Sequence, residues 1–348
     1  VTRSVKTMAQ IVGIGLAATT LLSACSLKEP VRPASAPIAK EDIKPVAQAE
    51  VADAPSLEGK TVGIAAKDIV HDFSRTVYEE LQAKIGELGG EVIATQAEAK
   101  DDKHVADIEN LIAQSPDAIV VILGDAQTLT PALAKVDEAG IDLFTVDFQS
   151  EYSKNNVTSD NWNIGTTLAR TLAEDIDGQG RILAFNGFPG VTPCRIRYES
   201  LKLVLQEYPE IQIIDPELQD KYEGTIEDAK KQVQDQLRRL PEGEIDAVWS
   251  CWDMPLIGAA HAVDTSKDAD IGLYGVDAEP GALDLIANPE SSYRFTVAQP
   301  TAQMAAQSAV NVAKYLAGQT SEVPKTSYVD PVFVTKDNVE QVRNELGI

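Results

Sequence analysis

Cations, histidine and cysteine are all scarce in this chain. Its 348 residues include 30 Lys and Arg against 54 Asp and Glu, a formal charge of −24. That balance argues against a nucleic-acid partner, since phosphate backbones are held by clustered Lys and Arg. The three histidines, His71, His104 and His261, and three cysteines, Cys25, Cys194 and Cys251, leave little for metal or thiol chemistry. No HExxH, paired CxxC, DxDxDG or GxxxxGK[ST] pattern occurs, so neither a metal nor a nucleotide cofactor is expected. A thiol enzyme at Cys251 would need a base nearby, and none of the histidines sits in a nucleophile signature. Long apolar runs are missing too. Beyond the N-terminal segment no stretch approaches the ~18 consecutive apolar residues of a transmembrane helix.

What is present begins with Arg3 and Lys6, followed by the uncharged stretch "MAQIVGIGLAATTLL" at 8–22. It is too short for a free-standing span and has the length of a secretory core. It runs into "LSAC", which resembles the bacterial lipobox, so Cys25 is the expected lipidation site and residues 1–24 a lipoprotein signal peptide. Residues 25–59, rich in Pro and Ala with scattered charge, are expected to be a disordered tether to the membrane. The localisation implied is the bacterial cell envelope, periplasmic or outer-surface, held by the lipid alone.

From Thr61 onward short apolar runs alternate with amphipathic helical segments. "TVGIAA", "EVIAT", "DAIVVIL" and "IDLFTVD" form one series, and "RILAFNG", "IQIID", "IDAVWSC", "IGLYGVD" and "YRFTVAQ" a second. Uninterrupted apolar strands alternating with helices predict parallel sheets covered on both faces. The fold class is therefore α/β, with two similar doubly wound lobes and a ligand cleft between them. Chemistry is expected where the strands end at their carboxyl sides, at Lys67, Gly124, Asp147-Phe148, Gly187, Cys251-Trp252-Asp253, Asp277 and Gln299. Polar and aromatic residues directly after apolar runs suit a cleft that hydrogen-bonds and stacks on a small molecule. In "SDNWNIG" Asp160 and Asn161 precede a helix, and "TPCRIR" puts Arg195 in a first helical turn, from which a guanidinium can fork onto two ligand oxygens. "NVTS" at Asn156 matches a glycosylation sequon without other support.

Five ordered blocks, "VTSDNWNIGTTLARTLAEDI", "NGFPGVTPCRIRYESLKLVL", "DAVWSCWDMPLIGAAHAV", "IGLYGVDAEPGALDLI" and "FTVAQPTAQMAAQSAVNVAKYLAGQ", resemble the periplasmic sugar-binding proteins of ABC transporters, of the ribose and galactose type. The resemblance implies an N-terminal lobe of 60–159 plus 300–329, a C-terminal lobe of 160–299 plus 330–348, and a hinge between them. It implies ligand contacts from Lys67, His71, Phe73, Asp147, Phe148, Asn161, Arg195, Tyr222, Trp252, Asp277 and Gln299. The chain departs from the family pattern at Lys67, at Phe148, where Arg is common, and at Cys251-Trp252-Asp253. With family topology Cys194 and Cys251 fall at neighbouring strand ends, where a disulfide, two small buried thiols and a reactive thiol are the alternatives.

The function implied is a lipid-anchored, monomeric solute-binding protein that delivers a sugar or related polyhydroxylated molecule to an ABC permease. A sensory receptor of the same fold, signalling to a membrane kinase or chemoreceptor, is the alternative. A sugar-acting enzyme would need two suitably spaced cleft carboxylates, for which Asp253 and Asp277 are the candidates.

Overall fold

The computed structural model describes residues 51–266 and 270–346. The signal segment, Cys25 and the first part of the expected tether lie outside them. The first sheet contains β1 (Thr61–Ala66), β2 (Glu91–Gln96), β3 (Ala118–Ile122), β4 (Asp142–Val146), β5 (Asn155–Ser159) and β11 (Thr326–Val329), in the order β11-β5-β4-β3-β1-β2. Every neighbouring pair in it is parallel. The second contains β6 (Gln179–Phe185), β7 (Glu210–Ile213), β8 (Ala247–Ser250), β9 (Gly272–Tyr274), β10 (Tyr293–Ala298) and β12 (Val332–Thr335), in the order β12-β10-β9-β8-β6-β7. It is parallel except where β12 runs against β10.

Without their last strands the two sheets share one topology, with β1 corresponding to β6, β3 to β8 and β4 to β9. In each, the direction of winding reverses beside the first strand, which opens a crevice at the carboxyl ends of β1 and β3, and of β6 and β8. Helices cover both faces. In the first lobe α1 (Asp72–Glu87) packs on α9 (Thr301–Leu316), and α2 (Asp101–Gln114) on α3 (Ala126–Glu138). In the second, α4 (Asn161–Asp175) packs on α5 (Thr192–Leu205), and α6 (Thr225–Arg239) on α7 (Asp253–Val263). Burial on both faces is why "AIVVI" of β3 and "AVWS" of β8 read as unbroken buried runs rather than alternating ones.

The chain passes between the sheets at 159–161, 299–301 and 329–332. Asn161 and Gln299 sit in two of these crossings.

Two features differ from the sequence reading. Residues 51–59 are folded: Leu57 is fully buried, its N–H donates to the Leu88 carbonyl at 2.7 Å, and Val51 and Ala54 pack on the same core. Three apolar side chains in a Pro- and Ala-rich stretch suffice to dock it once the end of α1 offers a surface. The sequon-like "NVTS" is buried β5, a strand too polar to stand out by hydropathy because Asn155 pairs with Asn311, Ser327 and the Pro324 carbonyl.

Candidate functional site

The cleft lies where the two crevices face one another. From the first lobe it is lined by Asp68, His71, Phe73, Ser74, Leu123 and Asp147, and from the second by Phe188, Val191, Pro193, Cys194, Arg197, Tyr222, Trp252, Asp277 and Glu279, with Gln299 from a crossing. Asp147 and Asp277 are equivalent, each following the fourth strand of its sheet. Both adopt left-handed backbone, φ 50° and φ 115°, as does Leu123 at φ 55°. Such conformations cost of order 1–3 kcal/mol each in non-glycine residues and cluster at ligand sites. Here they turn the carboxylates off the strand ends into the cleft.

Arg197 is at the centre. Its Nε donates to Asn161 Oδ1 at 2.8 Å, its Nη1 donates to the Cys251 carbonyl at 2.8 Å, and Nη1 lies 3.9 Å from Asp277 Oδ1. Asn161 in turn donates to Asp147 Oδ1 at 3.2 Å, and Gln299 donates to Asp277 Oδ1 at 2.8 Å. Asp68 Oδ1 accepts from the His71 backbone and lies 2.8 Å from His71 Nδ1. Three buried polar atoms of lining residues have no partner: Asp68 Oδ2, Arg197 Nη2 and Gln299 Oε1. A buried polar atom without a partner costs about 1–3 kcal/mol, so each favours a ligand able to hydrogen-bond it.

The second lobe also supplies an aromatic wall. Phe188, Tyr222 and Trp252 contact one another at centroid distances of 4.4 to 5.8 Å, and His71 reaches from the first lobe to within 5.1 Å of Trp252. The Trp252 indole N–H donates to Asp220, whose other oxygen accepts the Gly187 N–H, so the ring is anchored by a hydrogen bond as well as by packing.

Burial pushes Asp277 up to about 6, against the pull of Arg197 and Gln299, and raises Asp147 despite the same guanidinium. Burial, then the nearby Asp277 and Asp253 carboxylates, push Glu279 up to about 8. Asp253 is likewise raised to about 8, by burial and then by Asp277. It anchors the floor by accepting from Tyr293 Oη at 2.7 Å, Thr296 Oγ1 at 2.8 Å and the Glu279 N–H at 3.1 Å. Asp68 differs: burial raises it, but the His71 contacts prevail and hold it below the ordinary value. Burial and the neighbouring Asp277 and Asp253 therefore favour the protonated form of Glu279.

Of the residues expected from the sequence, His71, Phe73, Asp147, Tyr222, Trp252, Asp277 and Gln299 line the cleft together. Asn161 stands behind it, bridging Asp147 and Arg197. Three are placed otherwise. Lys67 is buried in an ion pair with Asp101, its ammonium 5.4 Å from the Tyr222 ring centroid. Phe148 is buried in the first-lobe core. Arg195 is exposed at the edge of a neighbouring groove, and the buried guanidinium is that of Arg197. The helical period carried the missed signal: Arg197 shares a face with Leu201 and Val204, both buried, whereas Arg195 does not. Phe188 and Glu279 went unnoticed because each lies in a loop or at a helix start, without a pattern. Asp253, weighed as a catalytic carboxylate, instead has its oxygens occupied by floor contacts. Cys194 and Cys251 form a disulfide, with Cα atoms 5.0 Å apart. Among the described residues no group of three or more His, Cys, Asp or Glu could hold a metal ion, and no helix is long and apolar enough to cross a membrane.

Comparison with known proteins places this architecture. The family model for the periplasmic binding protein domain matches residues 62–320. The ribose import binding protein RbsB of Bacillus subtilis is 25% identical over 285 residues, covering 80% of this chain and 84% of that protein. A xylitol-binding protein of Mycolicibacterium smegmatis is 24% identical, covering 82% and 80% respectively. Among solved structures, an ABC transporter solute-binding protein from Agrobacterium vitis with bound allitol is 43% identical with TM-score 0.81, covering 83% of this chain and 100% of that one. An ABC sugar transporter subunit from Rhodobacter sphaeroides is also 43% identical, with TM-score 0.80 and coverages of 81% and 100%. The chain belongs to the periplasmic binding protein family, as a solute-binding protein of the sugar ABC transporter type and not an enzyme.

Proposed function

We propose that this protein captures a small polyol or sugar between its lobes and presents it to an ABC permease. The observation that carries this reading is the set of unpartnered buried atoms, Asp68 Oδ2, Arg197 Nη2 and Gln299 Oε1, around one cleft. Two are acceptors and one a donor, and a hydroxyl group can satisfy either kind. Trp252, Tyr222 and Phe188 supply an apolar wall for the carbon-bound face of such a ligand. The allitol bound to the Agrobacterium vitis relative and the xylitol in the name of the Mycolicibacterium one direct attention to alditols as well as cyclic sugars.

In this reading Asp68, His71 and Asp147 move with a lobe of 60–159 plus 300–329. Arg197, Trp252, Asp277 and Glu279 move with one of 160–299 plus 330–348. The crossings at 159–161, 299–301 and 329–332 rotate as the ligand is enclosed, and the permease reads the closed form. The protein acts as a monomer, anchored outside the cytoplasm by a lipid on Cys25. Mass spectrometry of the mature N-terminus tests the anchor: an unmodified Cys25 or a different cleavage site rules it out.

The ligand is tested by thermal unfolding of the purified protein against pentoses, hexoses, deoxy sugars and alditols. At a hundredfold excess over Kd the expected stabilisation is about 2.7 kcal/mol. A panel with no stabilising member would reject the polyhydroxylated class.

A further inference from the structure

The Cys194–Cys251 disulfide sits in an unexpected place for a purely stabilising cross-link. Cys194 lines the cleft, and Cys251 directly precedes Trp252. Arg197 is one helical turn beyond Cys194, on the same side of α5, and its Nη1 donates to the backbone carbonyl of Cys251 at 2.8 Å. The covalent bridge and this hydrogen bond therefore join the same two segments, the first turn of α5 and the end of β8. On its other side Arg197 is fixed by α4. Asn161 accepts from its Nε at 2.8 Å, and a Cβ added at Gly165 would come within 2.8 Å of Arg197 Cα.

The loop before α5 is tied to its own lobe at the β6 end, where the Asn186 N–H donates to the Leu218 carbonyl at 2.9 Å and the Gly187 N–H to Asp220, but its last residues reach across the cleft. Gly190 accepts from the Ala126 N–H at 3.2 Å and Val191 forms an isolated bridge with Asp125, both across the cleft in the first lobe. Separation of the lobes removes those contacts. The disulfide is then the covalent link holding the start of α5 against the β8 end.

We propose that the Cys194–Cys251 disulfide is a positioning device for ligand binding. It keeps Arg197 and Trp252 in their binding arrangement when the lobes are apart, so that affinity for the cleft ligand depends on the oxidised bridge. A guanidinium and an indole already in place lose less conformational freedom on binding, which is how preorganisation raises affinity. This rests on the polyol-binding reading for its ligand, and on the geometry alone for the positioning.

The experiment has two arms on the full chain. In the first, ribose, xylitol and allitol are titrated calorimetrically into the oxidised protein, the protein reduced with a phosphine, and the Cys194→Ser/Cys251→Ser variant. Reduction consumes one phosphine and one water, gives the phosphine oxide, and leaves two thiols. The affinity of any sugar or alditol that binds the oxidised protein is expected to fall at least tenfold in both bridge-less forms. The same titration on Arg197→Lys, alone and combined with the cysteine variant, separates positioning from general destabilisation: the two losses are expected to be clearly less than additive.

In the second arm, hydrogen exchange of the Arg197 Nε–H and the Trp252 indole N–H is followed by NMR without ligand. Both are expected to speed up at least tenfold on reduction, while amides of the first-lobe β3 keep their rates. This arm decides the proposal even if none of the three probes binds, a result that would count against the polyol reading instead. Unchanged exchange at Arg197 and Trp252, affinities within twofold of the oxidised protein, or fully additive losses would each overturn the proposal. If the serine variant does not fold, the reduced wild-type chain supplies the same comparison.

Discussion

Asp147 and Asp277 occupy the same place in two copies of one topology, yet their surroundings differ. Asp147 is bonded by Thr158 and Asn161, and Asp277 by Gln299 with Arg197 alongside. Asn161 and Gln299 belong to the crossings between lobes, so each carboxylate is oriented by a segment that joins the two sheets. The rest of the cleft is unequal. The second lobe carries the guanidinium, the three-ring wall and the disulfide, whereas the first contributes chiefly the Asp68–His71 pair and Asp147. A duplicated scaffold thus carries two unlike cleft linings.

The largest expected break in that comparison is Trp252→Ala. It removes a buried ring and leaves Asp220 without its indole donor, which should cost about 4 kcal/mol of stability in denaturant unfolding. A loss below about 1 kcal/mol would mean that the ring does not support the second lobe. Arg197→Ala comes next. It strands Asn161, Asp277 and the Cys251 carbonyl, and affinity for the cleft ligand should fall by about 3 kcal/mol, or roughly a hundredfold in Kd. An isothermal titration showing less than fivefold loss would move the binding centre elsewhere.

Two cleft carboxyls, Glu279 of the second lobe and Asp68 of the first, should answer pH in opposite senses. Glu279 is raised from 4.5 to about 8, so the folded state binds more protons than the unfolded, and stability falls as pH rises from about 4.5 to about 8. Asp68, held below its ordinary value of 3.8, contributes stability that is present above that value and lost as pH falls through its folded pKa. Glu279→Gln should therefore flatten the decline between pH 5 and 8 and raise stability at pH 8 by on the order of 2 kcal/mol. An unaltered slope in urea unfolding would show that Glu279 ionises normally. The smallest effect belongs to Arg195→Ala. With its side chain exposed, it should change stability by less than about 0.5 kcal/mol, and Kd by no more than twofold. A Kd change comparable to that of Arg197→Ala would restore Arg195 to the site.

Much of the cleft was legible because strand ends are legible. Asp147, Trp252, Asp277 and Gln299 each follow an apolar run, and in a doubly wound sheet that position alone places a residue at the crevice. Phe148, one residue further on, illustrates the limit: the left-handed turn at Asp147 sends the next side chain back into the core. Lys67 was misplaced because an ion pair with Asp101, 34 residues away, draws its ammonium aside. Arg195 and Arg197 differ by two positions in a helix and so by half its circumference. Only the period of the buried positions tells them apart.

Hydropathy order by itself determined two doubly wound sheets, their helices and the strand ends that meet, because burial on both faces demands unbroken apolar strands and short chain connections leave little topological choice. The residues that share a hydrogen bond, the closing of Cys194 onto Cys251, the docking of residues 51–59 and the isolation of three polar atoms in one cleft were decided by the tertiary structure. Each depends on partners distant in the chain, brought within about 3 Å to 5 Å by packing that no local pattern encodes.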